Sequence, residues 1–167
     1  TFREVLASQG IPVYCTSRTG YFSATEIVTV LNYLKVCDNP LQDIPMAAVL
    51  ASPIVGMDDE ELAQIRSAFK GVSFAQAALS AMAGEDGYED EKLKAFALVF
   101  ERLRGAVADT PIHELLYMML DETGFYRYAS AMPAGKRRRQ NIDMLIEMAA
   151  AYEKTSYKGL FHFVRYI

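Results

Sequence analysis

Helix-start and helix-stop signals recur from Ser23 almost to the last residue of this chain, whereas a single four-residue stretch, residues 13–16, reads as a strand. No later segment offers a series of strands to pair with it. A lone strand leaves its backbone N–H and C=O groups without ladder partners. A chain patterned this way must bury its apolar surface helix against helix, and the expected class is mainly α. Within residues 13–16, Val13, Tyr14 and Thr16 suit a pleated surface, and Pro12 favours extended backbone around it. Ahead of it, Phe2, Val5 and Leu6 have helical spacing and Gly10 is a plausible stop. The first residues thus read as the end of a helix whose beginning is missing, and the strand as part of a larger sheet.

Ser23-Ala24-Thr25-Glu26 has the spacing of a capping box, and Ile27, Val30, Leu31 and Leu34 follow on one face. This predicts a helix to about Cys37, stopped by Asp38-Asn39-Pro40. A short helix over 44–51, a tight connection over 52–57 and a second helix over 58–69 come next. The second opens with Asp58-Asp59-Glu60-Glu61, whose carboxylates favour a helix N-terminus. Ser73 with Gln76 repeats the capping-box spacing before a helix to about Met82, and residues 83–87 form a polar loop. Further helices are expected over 88–107, from Thr110-Pro111 to Thr123 with Gly124 as stop, over a turn or two at 125–131, and from Arg139 through Tyr152. Residues 160–167 begin a last amphipathic segment that ends without a cap, so the chain reads as cut at both ends.

A hydrophobic content of 51% is ample for a packed core in 167 residues. The net charge of −4 argues against nucleic-acid binding through the overall field and leaves room only for a local basic patch. Cys15 and Cys37 fit no metal or disulfide spacing, and a reducing cytosol is their natural setting. No run approaches the roughly 18 apolar residues of a membrane span, and Thr1-Phe2-Arg3-Glu4 does not begin a signal peptide. There is no GxxxxGK[ST] phosphate loop, no GxGxxG after a strand, no HExxH, no GxSxG and no paired-Cys motif. His113 and His162 are far apart, one near a helix start and one on an amphipathic face, where a lone histidine is usually structural. The acidic loop over 84–90 lacks the Asp/Asn register of a calcium-binding EF-hand. No catalytic or metal-ligating residue is assigned.

Three features admit both a functional and a structural reading. Residues 47–65 give helix, turn and helix, with the apolar-Gly-apolar pattern of a helix-hairpin-helix at Val55-Gly56-Met57. Glycine there can take positive φ and let a phosphate approach, while amides at the next helix start attract an anion. An ordinary αα-turn also uses glycine, and four following carboxylates would repel a DNA backbone. Lys136-Arg137-Arg138-Arg139 puts four cations at a helix start, where the dipole disfavours them. They could contact phosphates or an acidic partner, or form a solvated loop end. Tyr21-Phe22, Phe161, Phe163 and Tyr166 could stack bases, but their spacing is that of core positions.

Gly10-Ile11-Pro12 with Tyr14, then Tyr21-Phe22, Glu26-Ile27, Leu31, Tyr33-Leu34, Asn39-Pro40 with Asp43, and Ser52-Pro53-Ile54-Val55-Gly56 resemble, in residues and order, superfamily 1 DNA helicases of the UvrD/PcrA/RecB group. Within that group the chain is most similar to the AddA-type (RexA) helicase-nuclease subunits, in which TGYF, here Thr19-Gly20-Tyr21-Phe22, and SPIVG occur in this arrangement. A weaker likeness continues through Thr110-Pro111-Ile112-His113, Gly124-Phe125, residues 141–145 and residues 157–166.

The resemblance implies that residues 1–39 are a remnant of the second RecA-like motor domain (2A), contributing a short β/helix piece. It implies that residues 40–167 are a helical 2B-like subdomain, incomplete at its C-terminus. It implies contact with duplex DNA ahead of the fork at Val55, Gly56 and Met57, although the basic residue that the UvrD form carries before its glycine hairpin is absent here. It further implies ATP and magnesium as cofactors of the parent protein with none in these residues, and a bacterial cytoplasmic setting. DNA and the second subunit of an AddAB-type complex are the partners implied. Two functions fit: a DNA-contacting or regulatory accessory module of an ATP-dependent helicase/exonuclease in double-strand-break repair, or a protein-interaction module that holds the partner subunit without touching DNA.

Overall fold

In a computed structural model of the chain, the described residues are Gln9, 20–154 and 159–167. The expected strand at 13–16, the helix end at 2–6 and Cys15 lie outside them. Nine α-helices occur among the described residues, in the order α1 (Thr25–Asp38), α2 (Asp43–Ala51), α3 (Asp59–Ala68), α4 (Phe74–Met82), α5 (Glu91–Ala106), α6 (Ile112–Glu122), α7 (Phe125–Ala131), α8 (Gly135–Tyr152) and α9 (Leu160–Tyr166). A 3-10 turn, Glu85–Gly87, sits in the expected polar loop, and no strand is present among the described residues. The mainly α class is thus the observed one.

Helix α1 occupies the middle of the body and packs against α2, α5, α8 and α9. Its sequence explains this position: Ile27, Val30, Tyr33, Leu34, Val36 and Cys37 are all buried, so apolar side chains leave several sides of the helix. A helix apolar on most of its circumference is stable only when surrounded. Helices α2, α3 and α4 then form one group, with α3 and α4 both packed on α2. Helices α6, α7 and α8 form another, joined to the first through α5 and α1.

Two capping boxes form, of which the one at Ser73 with Gln76 is expected from the sequence. Asp58 and Glu61 exchange bonds with each other's backbone N–H groups at 2.9 and 2.8 Å, and Ser73 with Gln76 does the same at 3.2 Å. The other expected box, at Ser23 with Glu26, does not form. Ala24 is the N-cap of α1, Ser23 Oγ donates to the Gly20 carbonyl, and the Glu26 carboxylate turns inward to Arg138 and Asn141. A carboxylate that is 4% exposed gains more from a guanidinium partner than from an exposed backbone cap.

The start of α6 is stabilised from afar. Thr110-Pro111 precedes it as expected, but the N-cap Pro111 supplies no side-chain bond. Instead Glu153, just past the end of α8, accepts from the Ile112 N–H with one oxygen and from His113 Nδ1 with the other. Glu153→Ala should lower the unfolding free energy by about 1.5 kcal/mol, the loss typical of a strong N-cap, while Glu153→Gln loses less because an acceptor remains. Denaturant titration of the three proteins checks this, and equal stability of wild type and Glu153→Ala would show that the cap carries nothing.

Helix α8 begins at Gly135, four residues ahead of the expected Arg139. Ala134 adopts a left-handed conformation with φ of 60°, and its carbonyl accepts from the Arg137 and Arg138 N–H groups. The four cations therefore stand inside the helix rather than before it.

Candidate nucleic-acid interface

The connection between α2 and α3 is a compact, self-satisfied turn. The Ser52 carbonyl accepts from the N–H of Val55 at 3.1 Å and of Gly56 at 2.7 Å, and Ser52 Oγ accepts from Ile54 N–H at 3.3 Å. Met57 N–H donates to the Leu50 carbonyl at 3.0 Å, and Asp58 N–H to Glu61. All five amides from Ile54 to Asp58 thus have partners within the chain, and none is free to meet a phosphate. Gly56 has φ of 73°, which explains the glycine by backbone conformation, since a Cβ there would meet no atom of the chain within 4 Å. Of the three expected contact residues, Gly56 is exposed, Val55 is half-buried and Met57 is buried in the core.

Lys92, on the first turn of α5, ties this turn down. Its Nζ donates to the Gly56 carbonyl at 2.9 Å and to both Glu61 oxygens at 2.7 Å. The hydrogen-bonded pair holds the Glu61 carboxyl below its ordinary pKa and Lys92 above its own. One of the four carboxylates after the hairpin is therefore neutralised within the chain, while Asp59 and Glu60 remain exposed. Sequence alone could not reveal Lys92, which lies 36 residues from Gly56 with no motif around it.

The basic turn is divided by the fold. Arg138 Nη1 donates to Glu26 Oε2 at 2.6 Å and its Nε to the Pro133 carbonyl at 3.1 Å. Asn141 Nδ2 donates to the other Glu26 oxygen at 2.6 Å, and Tyr21 Oη donates to the Asn141 carbonyl at 2.8 Å. Burial, with the nearby Glu26 charge adding to it, pushes the Tyr21 hydroxyl's pKa up and keeps it a donor. Arg139 lies over the Tyr126 ring, 6.0 Å from its centroid. Lys136 and Arg137 point to solvent and have no carboxylate partner among the described residues.

Ile54 and Val55 share a groove with Glu122 and Thr123 at the end of α6, and α7 leads from there to the start of α8. The start of α8 is in turn pinned to the start of α1 by the Glu26–Arg138 pair.

The other expected features resolve as follows. Tyr21 and Phe22 are half-buried and packed edge to face at 4.9 Å, and Phe163 is buried. Phe161 is 48% exposed beneath the Arg165 guanidinium, and Tyr166 is exposed against Tyr152. Cys37 is buried, which pushes its thiol up to about 12 and leaves it unreactive at neutral pH. Among the described residues no three His, Cys, Asp or Glu side chains converge as a metal site. No described helix is long and apolar enough to cross a membrane.

The profile of the UvrD-like helicase C-terminal domain family matches residues 1–91, more than half of the chain. Along nearly its whole length the chain is also similar to ATP-dependent helicase/nuclease A subunits of bacteria. It is 45% identical over 166 residues to that of Anoxybacillus flavithermus, 45% over 168 residues to that of Bacillus cytotoxicus, and 42% over 166 residues to that of Bacillus velezensis. Each comparison covers 98% of this chain but only 13 to 14% of the relative, so the chain spans a small part of the length of these proteins. On the family match across its first half and the likeness along nearly all its length to helicase/nuclease A subunits, the chain belongs to the UvrD-like helicase C-terminal domain family.

Proposed function

We propose that this chain is an accessory DNA-contacting module of an AddA-type helicase-nuclease, and that its main anion contact is the exposed pair Lys136 and Arg137. The observation that carries this reading is their position. They stand in the first turn of α8 with no carboxylate partner among the described residues, where the helix dipole disfavours cations, in a chain of net charge −4. An arrangement that opposes the local field is stabilised once an anion arrives. The hairpin then contributes shape: Gly56 and Val55 can lie against a backbone, whereas Met57 can do so only through its main chain.

In this reading residues 1–39 lead out of the motor domain, residues 40–167 form the 2B-like body, and α1 is the joint between them, since it packs on α2, α5, α8 and α9. ATP and magnesium chemistry, DNA cleavage and docking of the second subunit of an AddAB-type complex belong to the rest of a protein of the relatives' length, acting in the bacterial cytoplasm on broken DNA.

Fluorescence anisotropy with labelled duplex and forked DNA at low salt tests the proposal. Reversing both charges, Lys136→Glu with Arg137→Glu, should weaken binding about tenfold or more and flatten the slope of log affinity against log salt by about 2. Unchanged affinity and slope would sink it. A second reading, a module that holds the partner subunit without touching DNA, draws on Leu41, Ile44 and Leu98, which are 56%, 81% and 74% exposed. Loss of complex assembly in the charge-reversed protein with DNA binding intact would favour it.

A further inference from the structure

Two carboxylates that border the hairpin are compensated by cations of α5. Lys92 reaches Glu61 on the first turn of α3 at 2.7 Å, and Arg102 reaches Glu122 at the end of α6 with Nη2 at 2.7 Å and Nε at 3.2 Å. Lys92 and Glu122 both line the groove that Ile54 and Val55 share. Asp59 and Glu60 remain exposed on the same turn of α3 as Glu61.

Lys92 differs from Arg102 in what else it holds. An ammonium has three N–H donors, and here three acceptors meet it: the Gly56 carbonyl at 2.9 Å and both Glu61 oxygens at 2.7 Å. None of its donors remains for a phosphate. Glu61 Oε2 also accepts from the Asp58 N–H at 2.8 Å, so Gly56 and Asp58, two residues apart, are fixed by one ammonium–carboxylate pair. The pair is partly exposed, at 43% for Lys92 and 24% for Glu61, where an ion pair adds little to stability. Its loss should therefore change binding more than unfolding.

We infer that Lys92 is a positioning residue for the hairpin: it cancels the Glu61 charge and holds the Gly56 carbonyl to α5, so that the exposed tip can lie against a polyanionic backbone, while meeting no phosphate itself. Without it, a phosphate approaching Gly56 meets a full carboxylate charge and a bare carbonyl, and both repel it. Asp59 and Glu60 already oppose that approach, and a further uncompensated charge adds to them.

The inference rests on the DNA-contacting reading and assigns the lysine that makes the hairpin approachable. Binding of the 167-residue chain to duplex DNA is measured across a salt series for wild type, Lys92→Met, Lys92→Arg and the double variant Lys92→Met with Glu61→Gln, with urea unfolding of each. Lys92→Met should weaken binding about fivefold, the effect of one uncompensated charge close to a phosphate, with the slope of log affinity against log salt unchanged. Lys92→Arg, which keeps the charge, should retain affinity, and the double variant should recover most of the loss. A slope flattened by about 1 in Lys92→Met would show that the lysine itself meets a phosphate and would overturn the positioning role. A double variant as weak as Lys92→Met overturns the charge role, and it decides the matter even where Lys92→Met fails to fold. Affinity unchanged in Lys92→Met, while the Lys136 and Arg137 reversal abolishes binding, overturns the inference and leaves the proposed function standing. Wild type that binds no DNA overturns both.

Discussion

Arg138→Met should lower the unfolding free energy by about 3 kcal/mol, the penalty for leaving a buried charge without its partner. The Glu26 side chain is 5% exposed and its two oxygens are occupied by Arg138 Nη1 and Asn141 Nδ2, each at 2.6 Å. Removing the guanidinium strands a carboxylate that water can scarcely reach, and one amide cannot offset its desolvation. Replacing both residues, Glu26→Met with Arg138→Met, should restore most of the loss, because an apolar pair of similar volume avoids desolvating either charge. A double-mutant cycle by urea unfolding measures this. Equal losses in the single and double variants would mean that the pair is held by its surroundings rather than holding them.

Gly135→Ala is expected to be comparably disruptive for a steric reason. A Cβ at this position would lie 1.9 Å from the Ser130 carbonyl oxygen and 2.7 Å from its carbon, both backbone atoms of α7. No rotamer change relieves such a clash, so the α7–α8 turn must open at a cost of about 3 kcal/mol, the upper part of the overpacking range. For a chain of this size that corresponds to a fall of about 10 °C in Tm. Ala134→Gly, one residue earlier at a left-handed φ of 60°, should act in the opposite direction by up to about 1 kcal/mol. Thermal unfolding followed by circular dichroism separates the two, and a Gly135→Ala protein as stable as wild type would contradict the close approach of α7 and α8.

What was legible in the sequence followed the range of the interaction concerned. The capping box expected at Ser73 with Gln76 spans three residues and forms, and the acidic helix start at 58–61 forms with a box of the same span at Asp58 and Glu61. The same spacing at Ser23 with Glu26 did not form, because a cation 112 residues away competed for the carboxylate. Apolar periodicity found the helices, but the start of α8 was misplaced to Arg139 because α7 forces the turn at Ala134 and Gly135. The hairpin was visible as a turn with glycine at its tip. The internal use of its amides, and the lysine on α5 that clamps it, were not.

The basic turn shows the division most clearly. Sequence by itself determined that four cations stand in a row near a helix start, that the chain folds as helices packed on helices, and that its residues follow the order seen in UvrD-like helicases. Local hydrogen bonding, side-chain period and covalent order carry that information, and all three are readable along a chain. Only the tertiary structure decided that Arg138 faces inward to Glu26, that Arg139 lies over Tyr126, and that Lys136 and Arg137 stay exposed to solvent. The direction of a long charged side chain depends on which opposite charge or ring the packing of distant helices brings within reach, and that proximity is not written in the neighbouring residues.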